Sequence, residues 1–264
     1  MSFNYFTFNG QRLEDFGFIV KKKPQYFIAE KDYTSEEISG KDGNVIAYNG
    51  RYKNRTATYT IMSLPTRVHC SNRELANKLN YWLNAATGYC KFTDTFNQGL
   101  YTEAFCSKVA NVQNHMDGVV EAEVTFDMKP FWYIDNDIEV NNSPNGPNGR
   151  EFVLQNPTGF VSYPKITVRA NLNHHKLDFS FTDNNSNVQS FSIPENGYFG
   201  DRVVEIVYDS ETGDVTIEGQ PYNYLILNFN RPPAFSIGHN TVTINHYHEQ
   251  TIPYILIEPR WRML

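Results

Sequence analysis

Apolar and polar side chains alternate along most of this chain, with a period of two that predicts half-buried strands. Segments rich in β-branched and aromatic residues recur at Phe3–Phe8, Tyr59–Leu64, Val119–Met128, Lys165–Arg169, Lys176–Thr182, Arg202–Tyr208, Val215–Glu218, Tyr224–Phe229, Thr241–Tyr247 and Tyr254–Ile257. Turn signals such as Asp183-Asn184-Asn185, Glu195-Asn196-Gly197 and Gly219-Gln220-Pro221 bound them. That spacing is the spacing of β-sandwiches and barrels.

One segment has a different period. Leu75, Leu79, Trp82, Leu83 and Ala86 recur at helical spacing and predict a helix over 72–86 with one apolar stripe facing core. Ser71 followed by Glu74 forms a capping box, and Gly88 supplies a stop. The stretch from Asp135 to Glu151 is dense in Asn, Pro, Gly and Asp with almost no apolar side chain, so it reads as a linker that does not pack as an element. The expected organisation is therefore a β-rich α+β domain over residues 1–134, a linker over 135–150 and a β-sandwich over 151–264.

Residues 51–61 carry a gradient. Strand alternation sets Arg51, Lys53, Arg55, Ala57, Tyr59 and Ile61 on one face, charged at its start and apolar at its end. A strand of this kind begins outside the core and enters it. It predicts a projecting hairpin arm, 44–60, folded at Asn49-Gly50. An isolated hairpin is marginal in water, and a neighbouring subunit would supply both the missing sheet and the counter-charges, for which Glu30, Asp32, Glu36 and Glu37 are candidates. A solvated hairpin and a nucleic-acid grip are the other readings of the same strip.

Composition narrows these. The 264 residues are 40% hydrophobic and 15% aromatic with a net charge of −6, enough for one or two sizeable cores and unsuited to holding nucleic acid by general electrostatics. No segment approaches the roughly 20 apolar residues that span a bilayer, and the first residues lack a signal-peptide pattern, so neither secretion nor membrane insertion is expected. Cys70, Cys90 and Cys106 are too scattered for a zinc or redox motif and read as reduced thiols. No nucleophile elbow, zinc-protease, phosphate-loop or dinucleotide motif is present, and strand alternation separates Cys70 from His69. No catalytic residue, cofactor or metal is assigned.

Three other clusters carry candidate chemistry. His246 and His248 share a strand face, with His239 and Glu249 nearby, but a four-ligand set is not identifiable. His174-His175 reads as a polar turn. Tyr198, Phe199, Tyr222 and Tyr224 lie beside turns and form a candidate glycan or docking surface, although the only tryptophan of that half is Trp261.

Taken together in order, "FTFNG", "FGFIV", "SGKDGNVIAYNGRYKNRTATYTI", "RELANKLNYWLNAATGYCKFTDTFNQGLYTEA", "VEAEVTFDMKPFWY", "GHNTVTI" and "IEPRWRML" resemble the distal tail (Dit) proteins of long, non-contractile-tailed phages and prophages. The resemblance touches most of the chain. It implies a structural, non-enzymatic protein of the virion tail tip, assembled in the bacterial host cytoplasm as a homohexameric ring. DNA would pass through the ring's channel without specific binding. The ring would join the tail tube protein to the tail-associated and receptor-binding proteins. The resemblance also implies an intersubunit belt hairpin, here Asn49, Arg51, Lys53, Arg55 and Tyr59, and a galectin-like or carbohydrate-binding-module-like second domain. That domain is short here and implies a docking platform. The alternative function is a module recognising a bacterial cell-wall saccharide.

Overall fold

A computed structural model describes residues 3–25, 28–64, 71–114, 119–144, 149–173, 175–225, 232–247 and 251–264. The chain divides into two units, Met1–Tyr133 and Ile134–Met263.

The first unit holds β1 (Phe6–Phe8), β2 (Gln11–Arg12), β3 (Phe18–Lys22), β4 (Lys31–Glu37), β5 (Asn44–Tyr52), β6 (Arg55–Ser63), helix α1 (Asn72–Asn84), β7 (Cys90–Asp94), β8 (Leu100–Asn114) and β9 (Val120–Met128). Its main sheet runs β2-β1-β7-β8-β9-β6-β3. Alternation is strict where it matters: Arg55, Ala57, Tyr59, Ile61 and Ser63 of β6 are buried, as are Val120, Ala122, Val124, Phe126 and Met128 of β9. Their outward neighbours are Thr, Glu and Asp except for Met62, so one face of the sheet is core and the other mainly polar.

The helix covers the core face. Leu75, Leu79, Trp82 and Leu83 are buried, and the Trp82 indole stacks on Phe16 at 4.3 Å between centroids and donates from Nε1 to the Phe8 carbonyl at 3.2 Å. Ser71 and Glu74 form the expected capping box. The helix ends at Asn84, two residues earlier than its apolar stripe suggested, because Ala85 caps it and Ala86 is only half-buried. Beneath it Phe6, Tyr59, Phe92 and Phe126 interlock with centroids 4.9–5.9 Å apart. The one polar atom at their centre, the Tyr59 hydroxyl, donates to Asp94 Oδ2 at 2.7 Å. Asp94 is itself held by the Phe96 and Asn97 amides, so the buried carboxylate is satisfied.

A short strand, β10 (Trp132–Ile134), leads into the second unit. There follow β11 (Ile138–Pro144), β12 (Arg150–Asn156), β13 (Lys165–Asn171), β14 (Leu177–Asp183), β15 (Val188–Ile193), β16 (Val203–Asp209), β17 (Asp214–Ile217), β18 (Gln220–Pro221), β19 (Gly238–His246), β20 (Thr251–Glu258) and β21 (Arg262–Met263). Two antiparallel sheets, β11-β20-β13-β16-β17-β18 and β12-β19-β14-β15, face each other across one apolar core. Phe191 of one sheet meets Tyr208 of the other at 4.4 Å between centroids. The result is a β-sandwich. Trp261 is buried in that core, and its carbonyl accepts from the Ile134 amide at 2.9 Å.

Two expectations are corrected. The stretch 135–150 is not all linker: Ile138–Pro144 forms an edge strand paired with β20, because Ile138 and Val140 pack on the core while the intervening polar residues face outward. Asn-rich sequence hid a strand whose apolar positions number only two, and Pro144 is tolerated at its end because the strand is an edge. Tyr224 lies in a 3-10 turn, Asn223–Leu225, rather than starting a strand, and the remainder of that predicted strand, 226–229, lies outside the described residues.

Gly149, which precedes β12, has φ 86, and a Cβ built there meets the Ile244 carbonyl oxygen at 2.7 Å. Gly149→Ala is expected to destabilise the second unit by about 1–3 kcal/mol, the strain of a forbidden backbone region plus a clash with a paired strand. Chemical denaturation read by tyrosine fluorescence checks this.

Candidate interaction surfaces

Strands β4 and β5 form a separate two-stranded sheet that pairs with no other described strand. The ribbon runs out along Lys31–Glu37 and back along Asn44–Tyr52, with Tyr33 opposite Tyr48, Ser35 opposite Ile46 and Glu37 opposite Asn44. The turn falls at 38–43, where Gly40 and Gly43 have φ near 79 and the Lys41 amide reaches the Ile38 carbonyl.

The expected arm over 44–60, folded at Asn49-Gly50, is therefore corrected in its partner strand and in its turn. Asn49 and Gly50 lie inside β5, and Gly50, φ 76, sits at the register shift opposite Asp32, a bulge. Asn-Gly permits positive φ in a bulge as readily as in a turn. The true partner, "KDYTSEE", is polar on both faces and carries almost no strand signal.

The five predicted arm residues separate accordingly. Asn49 is exposed in β5 and accepts from the Thr34 hydroxyl at 3.5 Å. Arg51 pairs through Nε with Asp32 Oδ2 at 2.6 Å, so its counter-charge lies within the ribbon itself. Lys53 is exposed on the return connection, its amide bonded to the Glu30 carbonyl. Arg55 and Tyr59 are not in the arm at all. Arg55 opens β6 only 6% exposed, with its guanidinium 4.7 Å from the Trp132 ring centre, and Tyr59 is the core residue described above. A cation at the boundary of a strand looked solvated in sequence because an aromatic lid 77 positions away is invisible there.

Among its exposed polar side chains the arm also carries three large apolar or aromatic ones on one face. Ile46 is 67% exposed, Tyr33 53% and Tyr48 51%, and strand pairing sets all three on one face. None of these was singled out from sequence, although the alternation of Ile46 and Tyr48 is a signal of the right kind. At the root, Tyr48 approaches Tyr52 at 6.5 Å, and Tyr52 meets Phe131 edge-on at 5.6 Å, which anchors the ribbon to the body.

The Arg51 guanidinium beside Asp32 holds that carboxyl below the usual aspartate range, chiefly through the side-chain hydrogen bond. A depressed folded-state pKa contributes stability above the unfolded value and loses it as pH falls through the folded one. The Asp32 resonance in an NMR pH titration is expected to titrate low, and Arg51→Ala to return it toward the ordinary value.

In the second unit the four predicted aromatics do come together. Tyr198 contacts Phe199 at 5.3 Å between centroids, Phe199 contacts Tyr222 at 5.7 Å, and Tyr222 contacts Tyr224 at 5.7 Å. Phe199 is buried and Tyr222 half-buried, whereas the two end rings stand 81% and 78% exposed. Two short 3-10 turns, Gly197–Phe199 and Asn223–Leu225, hold them there. The residues that flank them were not predicted. Asn173 Nδ2 donates to Asp201 at 2.6 Å, and Asn223 Nδ2 donates to Asp214 at 2.7 Å.

His246 is buried in β19 with Nε2 2.6 Å from the Asn171 carbonyl and its ring edge-on to His175, while His239 is exposed. His248, Glu249, His174, His69 and Cys70 lie outside the described residues. Among the described residues no group of three His, Cys, Asp or Glu could hold a metal ion. Burial pushes the Cys106 thiol up to about 11. No described helix is long and apolar enough to cross a membrane.

No family model and no curated protein matches this sequence. Among solved structures the chain superposes on SPP1 Dit over 100% of both chains, with a TM-score of 0.65 at 14% sequence identity. That protein is described as a paradigm of the hub adsorption apparatus in phages that infect Gram-positive bacteria. The two chains share their fold from end to end.

Proposed function

We propose that this chain is the hub subunit of a phage or prophage tail tip, a structural protein that assembles as a hexameric ring between the tail tube and the host-adhesion proteins. The observation that carries the reading is the end-to-end fold correspondence with a hub protein of an adsorption apparatus, both units and their order included. A shared fold permits many functions, so the site-level support comes from the arm. A two-stranded ribbon with exposed Tyr33, Ile46 and Tyr48 is marginal alone and gains its missing cover from a second copy. Because the arm and the surface that receives it differ, the contact is head-to-tail, and repeating it under rotation closes a ring around an axial passage. The apolar face of the ribbon, rather than the cations that follow it, makes that contact in this reading, since Arg51 is already paired with Asp32. The sandwich serves as the platform for tail-associated and receptor-binding proteins.

Light scattering across a concentration series and negative-stain images of the purified chain test the assembly. Six-fold closed particles are the expected outcome, and a strict monomer at every concentration would sink the ring. Immunogold labelling of intact virions tests the location, with gold expected at the tail tip.

A further inference from the structure

The aromatic edge of the sandwich has a composition that a hydrophobic contact alone does not explain. Its two end rings, Tyr198 and Tyr224, are about four-fifths exposed, yet each is backed by a ring that is buried or half-buried, so they are fixed platforms rather than loose side chains. One amide–carboxylate pair adjoins each turn, Asn173 with Asp201, which follows Tyr198 in the chain, and Asn223, next to Tyr224, with Asp214 at the start of β17. Each carboxylate is thus oriented by its asparagine and keeps further lone pairs for incoming hydroxyls. Hydrogen bonds from Thr212 and Asn223 hold the Asp214 carboxyl below the usual range.

We infer that this edge is a saccharide-binding site for a neutral hexopyranose chain, stacking sugar rings on Tyr198 and Tyr224 and accepting their hydroxyls on Asp201 and Asp214. The faces of pyranose rings present polarised C–H groups, which suit the negative face of an aromatic ring. Their equatorial hydroxyls suit carboxylates already fixed in direction. A protein partner would instead bring apolar side chains, and would leave Asp201 and Asp214 to be desolvated at a cost. Two carboxylates at the rim disfavour phosphate-rich polymers through like-charge repulsion. The inference does not rest on ring assembly, since every residue of the site belongs to one copy.

The test titrates the full chain by calorimetry with four soluble hexasaccharides, built from glucose, galactose, mannose and N-acetylglucosamine, and with polyglycerol phosphate as the anionic comparator. Saturable binding of at least one neutral hexasaccharide, and weaker or no binding of polyglycerol phosphate, is expected. Tyr198→Ala and Tyr224→Ala should each weaken binding by about three- to tenfold, the scale of one aromatic contact. Their melting temperatures should stay at the wild-type value, and Tyr198→Trp should restore affinity. Binding by none of the four, undiminished binding in the double alanine variant, or preference for polyglycerol phosphate overturns the site. Loss of self-association or of protein capture in the double variant, without any saccharide binding, makes the edge a protein interface and equally overturns it. Failure here leaves the light-scattering result for the hub untouched, so the two readings fail separately.

Discussion

Trp82→Ala is expected to destabilise the first unit by about 3–5 kcal/mol, enough to consume much of a small domain's stability. Three losses coincide at this residue. The indole leaves a large cavity between helix and sheet, its stacking on Phe16 disappears, and the Phe8 carbonyl that it caps loses its Nε1 donor. Trp82→Phe keeps the packing volume in part and removes the hydrogen bond, and should fall between the two. Tyr81→Ala one position earlier is the control. Its side chain is 82% exposed, so its effect should stay within about 0.5 kcal/mol. Urea denaturation of the three variants, read by tryptophan fluorescence for Tyr81→Ala and by circular dichroism for the others, separates these outcomes.

Excising the arm should change assembly and leave folding alone. Lys31 and Tyr52 face each other at the root of the ribbon, so a short Gly-Ser turn can replace residues 32–51 without pulling on the body. The shortened chain is expected to melt with the wild-type transition and to remain monomeric where the full chain forms closed particles. On the proposed reading, in which exposed Tyr33, Ile46 and Tyr48 anchor the interface, its loss raises the concentration needed for assembly by about a hundredfold or more. Point changes should follow the same division. Ile46→Ser and Tyr48→Ser should weaken assembly, whereas Arg51→Ser should act less, because its partner is Asp32 of its own ribbon. Rings that persist without residues 32–51 would show that another surface closes them.

The sequence made legible those elements whose stability is local. The capping box at Ser71 and Glu74, the stripe from Leu75 to Leu83 and the strict alternation in β6 and β9 are written within a few residues of each other, and the structure follows them. Elements that depend on distant partners were obscured. β4 has no apolar period and is a strand only because β5 pairs with it, and β11 is a strand only because β20 offers an edge. The same reasoning accounts for Arg55, which looked like part of a solvated cationic strip and lies instead against Trp132. At the aromatic edge the sequence pointed to the four rings but not to Asp201 and Asp214. Carboxylates near turns are common, and only the fold pairs Asp201 with Asn173 and Asp214 with Asn223.

The β4–β5 ribbon also bears on how a single copy of the chain avoids uncontrolled strand pairing. Two unpaired edges and an apolar face are a template for runaway strand addition, the failure that natural sheets guard against with charge. Glu36 and Glu37 load the outer half of the outbound strand with negative charge, so two ribbons meeting along that edge repel each other at close range. The inbound strand carries no acid between Asn44 and Tyr52. One edge of the arm is therefore closed to its own kind while the other stays open, an asymmetry that turns a sticky ribbon into a one-sided key and disfavours fibres built from isolated chains.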